Sequence, residues 1–152
     1  MPQHIPDLIR LGRRSPTAAH WSDLQYRRLF PSEGQDSRVV LIAACELPEE
    51  LRNEVPTVVG FLIALRAGPE WELENIVVAE EFRGKGVGKQ LMRKLVTQAQ
   101  EANSNLVFLE VRESNASARR FYERLGFQQT GRRKAYYSNP TEDAILYGRT
   151  LG

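Results

Sequence analysis

The stretch Glu72–Ala102, ELENIVVAEEFRGKGVGKQLMRKLVTQAQEA, decides how the chain folds. An apolar run ending at Ala79 reads as a strand, Arg83-Gly84-Lys85-Gly86-Val87-Gly88 as a tight turn, and the rest as a helix. Strand, glycine turn and helix together build a cradle for phosphate. Glycine lets the backbone come close to an anion, and the first N–H groups of a helix have no intrahelical partner. Two nucleotide-binding spacings do not fit. Lys85 precedes Gly86, and Gly88 is followed by Lys89 rather than by Lys and a hydroxyl residue, so the pattern G-x-x-x-x-G-K-[ST] is absent. Gly84, Gly86 and Gly88 fall at every second position, which is not G-x-G-x-x-G. What remains, R-G-x-G-x-G with cations beside it, suits a pyrophosphate.

On the N-terminal side, Trp71 to Val78 forms the strand of this unit, entered through the turn Ala67-Gly68-Pro69. Before it, Arg38 to Cys45 and Val58 to Leu65 read as two strands of an antiparallel hairpin. Their charged connection, Glu46 to Pro56, is long, and a helical turn over Glu49 to Asn53 fits it. Earlier still, Ile5, Leu8, Ile9 and Leu11 recur at helical spacing, ended by Gly12 and Ser15-Pro16. A second short helix starts at Ser22, which has capping-box spacing to Gln25, and stops at Pro31. Trp21, Tyr26 and Phe30 are read as packing residues.

On the C-terminal side, Val87, Leu91, Leu95, Ala99 and Ala102 make one helical stripe, widened by Met92 and Val96. Asn105 to Val111 is apolar without alternation, which predicts a central strand covered on both sides and paired in parallel through the crossover helix. Ser114 and Asn115 can cap a helix over Ala116 to Leu125, with Gly126 as its stop. Phe127 to Leu151 divides at Ser138-Asn139-Pro140 into a hairpin. The expected fold class is α/β (α+β): a mixed, mostly antiparallel central sheet with one parallel strand-helix-strand crossover and helices on both faces.

With 152 residues, 41% of them hydrophobic, the chain is expected to form a single domain, 1–152. Lys and Arg number 21 against 19 Asp and Glu, a net +2 with the signs interspersed, which argues weakly for an anionic ligand and against a nucleic-acid partner. The single cysteine, Cys45, is expected as a small buried residue of its strand. His4 and His20 are isolated, so no metal is expected. No apolar run approaches the ~20 residues of a membrane span and no signal-peptide core opens the chain, so no membrane association and a cytoplasmic location are expected.

Glu110 stands near the C-terminal end of the expected central strand, where open α/β sheets bind ligands. Held among Leu106, Phe108, Leu109 and Val111, its carboxyl is expected to have a raised pKa and to serve as a general base. A strand-end glutamate paired with Arg112 or a later arginine is the equal alternative. Tyr122, on the apolar face of the following helix, reads more readily as a core tyrosine than as a catalytic group.

These segments resemble the GNAT acyltransferases. Glu74-Asn75-Ile76-Val77-Val78 through Arg83-Gly84-Lys85-Gly86-Val87-Gly88 looks like their pyrophosphate motif, [QR]-x-x-G-x-[GA]. Leu109-Glu110-Val111-Arg112-Glu113-Ser114-Asn115, Phe121 to Phe127, and Arg132-Arg133-Lys134-Ala135-Tyr136-Tyr137 followed by Glu142-Asp143-Ala144 are most similar to the RimI-type ribosomal-protein-alanine N-acetyltransferases of that family.

The resemblance implies acetyl-CoA as acyl donor. Its pantetheine arm would pair with Ile76, Val77 and Val78, and its pyrophosphate would sit on the turn from Arg83 through Gly84, Lys85, Gly86, Val87 and Gly88 to Lys89, with Asn115 also in contact. It implies Glu110 as proton acceptor, Tyr122 as proton donor to the departing thiolate, a backbone N–H near Val78 polarising the carbonyl, and Tyr136 and Tyr137 as substrate-holding residues. The acceptor it implies is a protein N-terminus, with a small-subunit ribosomal protein as candidate. At pH 7 an α-amino group is about 10–15% neutral and a lysine amine below about 0.1%, so a single modest base suits the former. A small-molecule amine acetyltransferase and a non-catalytic acyl-CoA-binding module are the alternatives. Two departures from the family pattern, a missing or vestigial first edge strand and the long Glu46 to Pro56 connection, bear on the acceptor side.

Overall fold

The computed structural model describes residues 4–14, 21–27, 38–45 and 57–152, the side chains of Asp23 and Cys45 excepted. The elements are α1 (Ile5–Arg14), α2 (Asp23–Arg27), β1 (Arg38–Cys45), β2 (Thr57–Ala67), β3 (Glu70–Val78), α3 (Val87–Glu101), β4 (Leu106–Arg112), α4 (Ala116–Arg124), β5 (Gln128–Tyr137) and β6 (Glu142–Thr150). Six strands join in the order β1-β2-β3-β4-β6-β5. The β1–β2, β4–β6 and β5–β6 pairs are antiparallel and β3–β4 is parallel, the mixed sheet expected. Among the described residues the first strand is β1, after α1 and α2. The chain divides into two compact units, Met1–Leu65 with Glu74–Leu95, and Arg66–Leu73 with Val96–Gly152.

In the first unit, Ile5, Leu8, Ile9 and Leu11 of α1 bury one face in a cluster with Tyr26, Val58, Phe61, Ile63 and Val77. Side chains such as Leu8, Phe61 and Ile63, fully removed from water, contribute about 1.5–3 kcal/mol each. Gly12 does not end α1. It is buried inside the helix, where a Cβ would run into the Tyr26 hydroxyl, so the close approach of that ring explains the residue. The capping box forms: Ser22 N–H donates to Gln25 Oε1 at 2.7 Å and Gln25 N–H to Ser22 Oγ at 3.3 Å. Tyr26 packs against Trp21 and Phe61, with ring centroids 5.6 and 6.2 Å apart.

Strand β2 approaches β3 closely at Gly60, where a Cβ would stand 2.9 Å from the Val77 carbonyl oxygen and 3.2 Å from Val87 Cγ1. This glycine sets how near the strand leading into the glycine turn can lie. Arg38 binds Glu74 through two bonds, at 2.8 and 3.3 Å. Expectations on Ser15-Pro16, His20, Phe30, Pro31, the Glu46 to Pro56 connection and the Cys45 side chain lie outside the described residues.

In the second unit the parallel ladder is short: Glu70, Trp71 and Glu72 face Leu106, Val107 and Phe108. Ile76 to Val78 lie beyond it. The apolar stripe of α3 buries Leu91, Met92, Leu95, Val96 and Ala99, but Ala102 falls past the helix end and is exposed, next to Asn103 at φ 57°. Strand β4 corrects a second expectation. Val107, Leu109 and Val111 are buried while Leu106, Phe108 and Glu110 are only partly so, and this alternation places Leu109 and Val111 on the face opposite Glu110. An apolar side chain at 106 or 108 does not reveal whether its face is fully covered.

Asn115, not Ser114, caps α4, its Oδ1 accepting from Ala118 N–H at 3.3 Å. Ser114 instead turns its N–H to Glu142 Oε2, 3.0 Å away. Gly126, at φ 88°, stops the helix as expected. The buried Tyr147 anchors α4 to β6, donating to Glu123 Oε1 at 2.7 Å and accepting from Arg119 Nε at 3.1 Å.

Candidate active site

The glycine turn belongs to the first unit. A single 3-10 turn, Glu80–Phe82, leads into Arg83, whose Nε donates to the Val78 carbonyl at 3.1 Å and so fastens the turn to the end of β3. Gly84 and Gly86 adopt φ 75° and 84°, a region costly for residues with a Cβ. Around a Cβ at either position there is nothing within 4 Å. The backbone shape therefore requires glycine here, and close neighbours do not. Helix α3 starts at once, its first N–H groups without intrahelical partners. Arg83, Lys85 and Lys89 are exposed, with the Lys85 ammonium 5.3 Å from the Phe82 ring centroid. Free N–H groups, a helix N-terminus and cations are the donor set a pyrophosphate needs, so these residues fit the acyl donor's phosphates.

The second unit holds a group of charged and phenolic side chains built on β4, β5 and β6. Glu110 stands opposite Leu146 of β6 and presents a side chain only 13% exposed. Arg133 of β5 stands opposite Ala144, on the same side of the strands. Across the small Ala144, its Nε reaches Glu110 Oε1 at 3.3 Å. The pairing with a later arginine, one of the two sequence readings of Glu110, is thus present. It leaves the other open, because a carboxylate in an ion pair remains a proton acceptor.

A bulge puts the two tyrosines beside this pair. Between Arg133–Ala144 and Tyr137–Glu142 the register shifts, so Lys134, Ala135 and Tyr136 face Asp143 alone. Ala135 takes φ 50°, and its N–H donates to Asp143 Oδ1 at 2.9 Å. Neighbouring residues of a regular strand point to opposite faces. Here the Tyr136 and Tyr137 rings meet edge to face with centroids 5.1 Å apart. The Tyr136 hydroxyl donates to Glu110, and the nearby carboxylate, with burial, raises the phenol above its usual pKa while Arg133 opposes the shift. Burial and then Glu110 raise Tyr137 likewise. Tyr122, 7% exposed, is pushed far above 10.0, chiefly by burial and secondarily by Tyr137.

Arginines brace the site. Arg112 lies 4.4 Å from the Tyr137 ring centroid and donates to Pro140 O and Ser138 O, both at 3.3 Å, holding the β5–β6 turn. Arg132 bridges Glu113 at 2.8 Å and Asp143 at 2.9 Å. The sequence reading missed Arg133, Asp143 and Glu72 as part of this neighbourhood. The available signal was the doubled tyrosine, which a regular strand cannot place on one side. Asn115 serves as the cap of α4. Among the described residues no group of three or more His, Cys, Asp or Glu side chains could hold a metal ion, and no helix is long and apolar enough to cross a membrane.

A strand ending in a glycine turn and helix, set in a mixed sheet with one parallel pair, defines an acyltransferase type of fold. The model of the Acetyltransferase (GNAT) family matches residues 6–127, and the chain belongs to this family. The [ribosomal protein bS18]-alanine N-acetyltransferase of Haemophilus influenzae is 42% identical over 92 residues, covering 59% of this chain and 62% of that protein. The match thus spans about three fifths of that curated relative. The solved Ard1 of Thermoplasma volcanium is 28% identical with a TM-score of 0.77, covering 100% of this chain and 94% of that one. The Escherichia coli ribosomal-protein-S18-alanine N-acetyltransferase shares the fold at TM-score 0.79 and 24% identity, covering 99% of this chain and 89% of that one.

Proposed function

We propose that the protein transfers the acetyl group of acetyl-CoA to the N-terminal α-amino group of a protein, as a single 1–152 domain. The observation that carries this reading is Glu110 with the Tyr136 hydroxyl on it, in a family member whose curated relative from Haemophilus influenzae is an alanine N-acetyltransferase. Bound acetyl-CoA supplies an activated acetyl thioester. The N–H groups from Gly84 to Lys89, with Arg83, Lys85 and Lys89, hold its pyrophosphate. The backbone of Ile76 to Val78 holds the pantetheine arm and Asn115 makes a further contact. Glu110 accepts the proton of the attacking amine, Tyr122 provides the proton for the departing thiolate, and Tyr136 and Tyr137 hold the acceptor's first residues. The acceptor class includes a small-subunit ribosomal protein.

The test follows thiol release from acetyl-CoA with three acceptors: a peptide beginning with alanine, the same peptide Nα-blocked and carrying an internal lysine, and spermidine. Preference for the free N-terminus is expected. Equal or faster turnover of spermidine selects a small-molecule amine acetyltransferase instead. Glu110→Gln should lower kcat about 100-fold or more, the scale of lost general-base catalysis; unchanged turnover at pH 7 removes Glu110 from that role.

A further inference from the structure

The base candidate carries its own counter-ion. Arg133 Nε is 3.3 Å from Glu110 Oε1, and its guanidinium carbon is 5.4 Å from the Tyr136 ring centroid. The two partners differ in access to water: the Glu110 side chain is 13% exposed and that of Arg133 56%. The carboxylate is fixed in the strand, whereas the guanidinium spans from the outer strand β5 across the low Ala144 and can swing into solvent when a ligand's ammonium takes its place. We propose that Arg133 sets the charge of the acceptor site so that it fits an amine carrying one positive charge and disfavours acceptors with a second cation close by. This rests on the acetyl-transfer reading above and names the acceptor class within it.

The count of charges supports it. Glu110, Glu72, Arg133, Arg112 and Glu142 are the charged groups that act on the Tyr136 and Tyr137 phenols. Three carboxylates against two guanidiniums leave −1, which one ammonium neutralises. Glu72 is placed by register: it faces Phe108, which lies two residues before Glu110 and on the same side of β4. With strands about 4.8 Å apart and a rise of about 3.3 Å per residue, Glu72 and Glu110 start from Cα atoms about 8 Å apart. Removing the Arg133 charge leaves −2 over that span, a fit for a diamine or for a peptide whose second residue is lysine or arginine. Arg112 does not play the same part, because it is held by Glu142 and by two carbonyls of the β5–β6 turn.

The experiment compares kcat/KM for an Ala-Ala-peptide, an Ala-Lys-peptide and spermidine in the wild type, Arg133→Gln and Arg133→Lys, at low and high salt. Arg133→Gln should move the spermidine to Ala-Ala ratio, and the Ala-Lys to Ala-Ala ratio, toward the second cation by about tenfold at low salt, an effect of one unit charge at partly exposed distance. The change should shrink at 0.5 M salt, where the screening length is about 4–5 Å. Arg133→Lys should keep the wild-type ratios, since it keeps the charge. Ratios unmoved in Arg133→Gln, or moved equally in Arg133→Lys, overturn the proposal. A wild type that acetylates none of the three acceptors overturns the acetyl-transfer reading and this proposal together.

Discussion

Asp143 Oδ1 accepts the N–H of Ala135 at 2.9 Å, and this one bond holds the left-handed residue of the bulge that brings Tyr136 and Tyr137 together. The same carboxylate accepts from Arg132, and these two bonds lower its pKa, with the Ala135 N–H the larger cause. Asp143→Ala should therefore raise KM for the peptide acceptor about fivefold or more with a smaller change in kcat, since a loosened support costs positioning. Asp143→Asn keeps an acceptor oxygen and should lie between.

The pH dependence follows with a definite sign. The folded-state pKa of Asp143 is depressed, as is that of Glu142, mainly by Ser114. Their stabilising effect is complete above the ordinary carboxyl values of about 3.9 and 4.3, and it fades as pH falls through the lower folded values. Near-UV signals from the paired tyrosines should report loss of hairpin order in that acid range. The Asp143→Asn protein should show a smaller acid step; an identical step would remove Asp143 from the account.

Tyr122 is held as a neutral phenol by burial, with its pKa far above 10.0. It is therefore fully protonated at any pH below 10, as a donor to a thiolate must be. Tyr122→Phe should lower kcat about 100-fold and leave both KM values within about twofold, the pattern of a group acting in the transition state. The wild-type profile should show no basic limb from this group below pH 10. A kcat within threefold of wild type would make Tyr122 a packing residue, the more modest reading of its sequence position.

Gly60→Ala tests the support of β3. The added Cβ meets the Val77 carbonyl oxygen at 2.9 Å, backbone that cannot move without shifting Val78. Overpacking of this kind costs about 1–3 kcal/mol. Thermal unfolding should show that loss, and KM for acetyl-CoA should rise with it. A destabilised variant with unaltered KM for acetyl-CoA would separate the strand's packing from donor binding.

Where physical signals are local, the sequence is legible. The capping box at Ser22, the stop at Gly126, the strand at Arg38–Cys45 and the glycine turn each depend on residues within a few positions of one another. Glu110 and Tyr136, both candidates from the sequence, lie in contact. What stays hidden depends on register between distant strands. Arg133 is 23 positions from Glu110 and meets it only because β6 lies between their strands with alanine at 144. Gly12 reads as a helix stop because its true reason, the Tyr26 ring, comes from another helix. The apolar run of β4 conceals its alternation because Leu106 and Phe108 share the partly open face with Glu110.

The glycine turn allows a prediction that separates backbone shape from space. Gly84 and Gly86 have positive φ, and an added Cβ at either would meet no atom within 4 Å, so a substitution there is opposed by conformation alone. That opposition is about 1–2 kcal/mol for alanine, which corresponds to roughly 5- to 30-fold in affinity. Gly84→Ala and Gly86→Ala should each raise KM for acetyl-CoA by that factor and reduce the thermal shift on adding coenzyme A. Asparagine tolerates the left-handed region better, so Gly84→Asn should lose less than Gly84→Ala despite its larger side chain. The reverse order would mean that the larger side chain obstructs the bound donor, and that space outside the turn, rather than its backbone conformation, governs binding.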